Sequence, residues 1–79
     1  GPEFVENANG ASAIETYTVM HDRNGPSYAI LFGRLSDGRR FIANTPDDPT
    51  LLQNMIDQDF MGAQGKVTNS KGKNIFEPS

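Results

Sequence analysis

The chain carries one histidine, His21, followed directly by Asp22 and Arg23 in the stretch VMHDRNGP, residues 19–26. A histidine beside a carboxylate can start a hydrolytic or transfer site, provided the carboxylate holds the imidazole in the useful tautomer. Neighbours in an extended chain point to opposite faces, so this pair is poorly placed to do so. There is no cysteine, and Ser12, Ser27, Ser36, Ser70 and Ser79 sit in turns or tails without a nucleophile-elbow pattern. The expected arrangement is a turn braced by Asp22, with His21 a partly exposed strand residue and no catalytic residue in the chain.

Two other stretches mimic chemistry and fail on spacing. DQDFMGAQG, residues 57–65, has acids at the first and third positions of a calcium loop and glycine at the sixth. Its fifth position is Met61 and its twelfth is Thr68, where a bidentate carboxylate is required, so no metal site is expected. GAQGK, residues 62–66, lacks the spacing and the hydroxyl residue of a phosphate-binding P-loop. What remains is a set of cations: Arg23, Arg34, Arg39, Arg40, Lys66, Lys71 and Lys73. Six of them, Arg23, Arg34, Arg39, Arg40, Lys71 and Lys73, are candidates for an anionic ligand, with Tyr28, Phe32 and Phe41 as neighbouring stacking surfaces. The seven cations are outnumbered by ten acids, for a net charge of -3. That balance disfavours nucleic acid, whose binders draw phosphate affinity from a basic excess.

Seventy-nine residues are enough for one domain with a small core. No apolar run is long enough to cross a bilayer, so no membrane role is expected. The lack of cysteine fits a reducing compartment, and a cytoplasmic or organellar location is expected. GPEF at residues 1–4 looks like an expression remnant, and VENANGASA after it has no apolar period. Residues 1–13 therefore read as remnant plus flexible linker, and residues 14–78 as the domain.

Within the domain, residues 14–21 are rich in Thr, Tyr and Val and read as a strand, broken by Asn24-Gly25-Pro26. Residues 27–35, SYAILFGRL, form a second strand that is apolar on both faces: Tyr28, Ile30 and Phe32 alternate with Ala29, Leu31 and Leu35. A third strand covers residues 39–44. The period then changes, since Leu51, Leu52, Met55 and Ile56 share one helical face. Thr45 or Asp48 could cap this helix, and Asp48 followed by Pro49 is the better pair. Short strands at residues 66–69 and 74–77 complete the chain. The order β-β-β-α-β-β is that of a small five-stranded OB-like split barrel, with a ubiquitin-like roll as the competing arrangement. The core is expected to join the helix to Val19, Ile30, Phe32, Phe41, Val67 and Ile75. Tyr28, Ala29 and Leu31 are expected to contribute to an exposed interaction surface.

ETYTVMHDRNGP, GRLSDGRRFIANT, GAQGKV and NIFEP together resemble the additional C-terminal domain of thiolase-like proteins, the acetyl-CoA acetyltransferase homologues. The resemblance covers residues 15–78. It implies an accessory OB-like module joined to an N-terminal thiolase core, an acyltransferase of acyl-CoA and lipid metabolism, with the catalytic residues in that core. No cofactor of the domain itself is expected, and coenzyme A is expected through the parent protein. Three functions stay open at this point: docking on the core or a partner, binding of an anionic ligand such as the adenosine phosphate end of coenzyme A, and independent catalysis, which lacks a nucleophile.

Overall fold

The structure is a computed structural model and describes residues 3–79. Five strands, β1 (Gly10–Asp22), β2 (Gly25–Leu35), β3 (Arg40–Asn44), β4 (Gln64–Ser70) and β5 (Lys73–Pro78), and one helix, α1 (Pro49–Asp57), follow the expected order. The strands close into a barrel, β1-β2-β3-β5-β4. All neighbours are antiparallel except β3 and β5, which run parallel and meet only at Asn44 and Ile75.

The helix begins where its cap chemistry placed it. Asp48 is the N-cap, its carboxylate accepts from the Leu51 amide at 3.2 Å, and Pro49 occupies the first turn. Thr45 acts elsewhere. Its buried hydroxyl accepts from the Ala29 amide, and its own amide donates to the Ala29 carbonyl, which ties the end of β3 to β2. Leu52 and Met55 are buried, whereas Ile56, expected in the core, is 43% exposed. The helix stops at Asp57. Its last turn is held by Tyr17, whose hydroxyl lies 2.7 Å from the Met55 carbonyl and accepts from the Phe60 amide at 3.2 Å.

The two apolar faces of β2 resolve opposite to expectation. Ala29, Leu31 and Leu35 point into the barrel with Phe41, Ala43, Val67 and Phe76, while Tyr28, Ile30 and Phe32 face outward. The reason is the pairing of Gly33 with Phe41. The Phe41 ring fills the space that a side chain at Gly33 would need, so the face carrying Gly33 is the one that accepts the large ring. Ile75 is likewise replaced in the core by Phe76, and Val19 only flanks it.

In β1 the parity changes along the strand. Ser12 and Ile14 are buried, and beyond Glu15 it is Tyr17 and Val19 that turn inward. The register jumps there, from Ile14 opposite Gly33 to Thr16 opposite Phe32, so Glu15 is the extra residue of a β-bulge and points out of the barrel wall.

The structure also builds residues 5–13 into the fold, where a flexible linker was expected. Strand β1 starts at Gly10 and pairs with β4 as far as Ala13. Ala8 is fully buried and Val5 packs against the core. The first two residues of the expected remnant, Gly1 and Pro2, lie outside the described residues.

Candidate functional site

His21 and Asp22 stand at the end of β1 and serve the turn. The Asp22 carboxylate accepts from the Asn24 amide at 2.7 Å. His21 Nδ1 lies 3.2 Å from the Val19 carbonyl, a contact that requires its proton on Nδ1. Neither residue bonds the other. Asp57 accepts from Gln53, and the Asp59 carboxylate accepts from the Met61 amide, so the acids of the calcium-like stretch serve local turns.

The six candidate cations divide among three places. Arg23 sits at the exposed tip of the β1–β2 hairpin, beyond the pairing of Asp22 with Gly25. Lys71 and Lys73 belong to the β4–β5 hairpin, whose tight turn takes positive φ at Lys71 and Gly72. That turn lies past the other end of β1, where Gly10 pairs with Val67. Arg34 and Arg40 form the only cluster of the set among the described residues. Both guanidinium groups converge on one oxygen of Glu15, at 3.1 and 2.8 Å. Arg34 donates a further bond to the Gly38 carbonyl. Arg39 pairs with Asp37 at 2.8 Å. The Arg39 backbone amide, and secondarily its side chain, hold the Asp37 carboxyl below the usual carboxylate range. Three of the six cations are thus engaged by acids of the same chain. Glu15, the bulge residue that gathers two of them, has no signature in the sequence.

The outer face of β1, β2 and β3 is where the apolar surface collects. Cross-strand pairing sets Met20 beside Tyr28, Thr18 beside Ile30, and Thr16 beside Phe32, with Ile42 on the far side of Phe32. Met20, Tyr28, Ile30, Phe32 and Ile42 are all exposed, and Ile42 reaches 48%. Thr16, Thr18, Ile30, Phe32 and Ile42 line a shallow groove of about 160 Å³. At its edge the Arg40 guanidinium lies 5.8 Å from the Phe32 ring centre and 4.9 Å from that of Phe4. Of the three residues expected to form an interaction surface, Tyr28 belongs to this face. Ala29 and Leu31 do not, being 0% and 2% exposed in the core.

This barrel matches a known family. The model of the thiolase-like protein type 1 additional C-terminal domain covers residues 1–72. The chain belongs to that family. Among solved structures it is similar to a monomeric SCP2-thiolase like protein type 1 from Mycobacterium smegmatis, with 36% identity and a TM-score of 0.85 over 99% of this chain. That match takes in 17% of the Mycobacterium smegmatis chain, so the additional C-terminal domain spans about one sixth of its solved relative. A search of curated proteins finds no match. No helix of the described structure is long and apolar enough to cross a membrane.

Proposed function

We propose that this domain is a non-catalytic docking module that packs onto the thiolase-like core of its parent protein through the outer face of β1, β2 and β3. The observation that carries the reading is the contiguous strip of Met20, Tyr28, Ile30, Phe32 and Ile42, left exposed on a domain whose core is otherwise closed. Exposed apolar surface of this continuity marks contact sites, and the core of a longer chain is a partner already tethered beside it. The incoming polypeptide supports this occupant. Val5 donates to the Arg40 carbonyl at 2.9 Å, at the strip's edge, so the preceding chain arrives next to the face it would cover. The Phe4 ring, from the stretch read as an expression remnant, already sits edge-on to Phe32 with centres 6.0 Å apart, as an aromatic side chain of the core would. The parent is then an acyl-CoA-handling acyltransferase whose chemistry and coenzyme A site lie in the core. The division of the basic residues among acids and separate hairpins argues against a coenzyme A site on the domain itself.

The test is side-chain footprinting of the full-length protein against the isolated domain. Oxidation of Met20, Tyr28 and Phe32 should fall several-fold in the full-length protein, and Ile30→Asp should restore it without unfolding the domain. Equal labelling in both would refute docking through this face. Coenzyme A added to the isolated domain should cause no saturable, salt-sensitive change at Arg23, Arg34, Lys71 or Lys73. A saturable one would favour the ligand-binding alternative.

A further inference from the structure

The barrel has a weak seam, and the segment that covers it makes a second, separate observation. Strand β3 meets β5 at a single register pair, which leaves the backbone of residues 40–43 without a strand neighbour inside the barrel on that side. Residues 3–5 take that position. The Val5 amide donates to the Arg40 carbonyl at 2.9 Å, the Arg40 amide donates to the Glu3 carbonyl at 2.8 Å, and Phe4 lies opposite Arg40 in parallel sense. Farther along, Asn74 reads the same segment with its side-chain amide. Its Oδ1 accepts from the Ala8 amide at 3.0 Å and from Asn69 Nδ2 at 2.8 Å. Its Nδ2 donates to the Glu6 and Ile42 carbonyls, both at 3.0 Å. The carboxamide therefore makes the four bonds its chemistry allows, two of them to the backbone of the segment. The Asn69 amide adds a bond to Asn9 Oδ1 at 2.9 Å.

We propose that the β3 edge together with Asn74 and Asn69 is a strand-accepting site for an extended peptide, occupied here in cis by residues 3–9 of the chain. Most of the recognition is of backbone, as in other strand additions, and specificity comes from few side chains. Val5 packs against the core, Ala8 is fully buried, and Asn9 supplies a side-chain acceptor. The ligand class is thus an extended Val-x-x-Ala-Asn segment. The strap is detachable because it buries one complete side chain, Ala8, and leaves the barrel at Gly10, whose φ of 123° acts as a corner. Glu3 contributes its backbone carbonyl, while Phe4 makes no backbone bond among the described residues and sets its ring against Arg40 and Phe32. The inference stands on the seam and does not rest on the docking face.

The experiment uses the whole chain. Val5→Pro combined with Ala8→Pro removes the two donated amides of the strap and leaves every accepting residue in place. An N-acetylated peptide of residues 3–10, fluorescently labelled, should bind this variant at least tenfold more tightly than it binds the unaltered chain. In the unaltered chain the cis strap competes at the high effective concentration of a short tether. Adding Asn74→Ala to the double variant should abolish peptide binding. Equal binding to both chains, or none to a double variant that keeps its barrel, overturns the proposal. Amide exchange of the unaltered chain gives an arm that needs no variant. The Val5 and Ala8 amides should exchange at least tenfold faster than the Leu31 amide, as expected for a strap that opens without the barrel. Exchange of all three at one common rate means that the strap is inseparable from the core, and the proposal fails.

Discussion

Neighbouring residues of one strand give the sharpest test of the barrel's inside and outside. Leu31 is 2% exposed and Ile30 is 40% exposed, although both are aliphatic, adjacent and in the middle of β2. Truncating Leu31 to Ala removes about three carbon groups at about 0.8 kcal/mol each, and adds a cavity in a closed core, for a loss of about 3 kcal/mol. The same truncation at Ile30 removes groups that are partly in water already and leaves a space that solvent fills, so its cost is about 1 kcal/mol. A domain of this size has about 4 to 12 kcal/mol in total, so the first loss is large and the second modest. Urea denaturation followed by circular dichroism measures both, with the slope as a check that the unfolding reaction is unchanged. Thermal midpoints should fall by about 12 to 24 °C for Leu31→Ala and by about a third of that for Ile30→Ala. Equal losses, or a greater loss at Ile30, would refute the assignment of faces and with it the exposed strip on which docking depends.

Tyr17→Phe removes the hydroxyl that bonds the Met55 carbonyl and the Phe60 amide, and should cost about 1 to 3 kcal/mol in urea denaturation, with faster exchange of the Phe60 amide than of the β2 amides. A loss below about 0.5 kcal/mol would mean that water replaces the hydroxyl at the helix end without penalty. Gly33→Ala should cost about 1 to 3 kcal/mol because its new carbon meets the Phe41 ring, and Phe41→Leu in the same chain should return part of that loss, a non-additivity read from a double-mutant cycle. Strict additivity would show that the ring moves aside freely.

The element order was legible because each boundary has a local cause. Asp48 and Pro49 start the helix by capping and by a fixed φ, and Asn24-Gly25 and Ser36-Asp37-Gly38 reverse the chain between strands. The resemblance to the family was likewise carried by contiguous stretches, and the family match confirms it. The inward face of β2 was not legible. Alternation decides a face when one set of residues is polar, and here both sets are apolar, so the pattern holds no preference. The deciding contact is Gly33 against Phe41, a cross-strand pair eight positions apart, which no single-strand period reports. Ile56 failed for a related reason, since a nine-residue helix resting against β1 and β2 buries a narrower stripe than its apolar residues span.

The lead-in and the cation cluster share a different obstacle. VENANGASA lacks a period because most of its bonds run through backbone groups and asparagine side chains, which leave no apolar alternation to detect. Asn74 looks like any polar residue at the start of a strand until β3 and the strap are both beside it. Glu15 is similar: it sits in a run of strand-forming residues, and only the bulge turns its carboxylate outward to Arg34 and Arg40. Two arginines on one carboxylate leave a surplus positive charge at the edge of the apolar strip, so a core surface that docks there should present an acidic group at the corresponding edge. The bulge and the exposed strip are thus linked: one inserted residue reverses the facing of β1, places Thr16, Thr18 and Met20 beside the outward residues of β2, and sets the charge at their border.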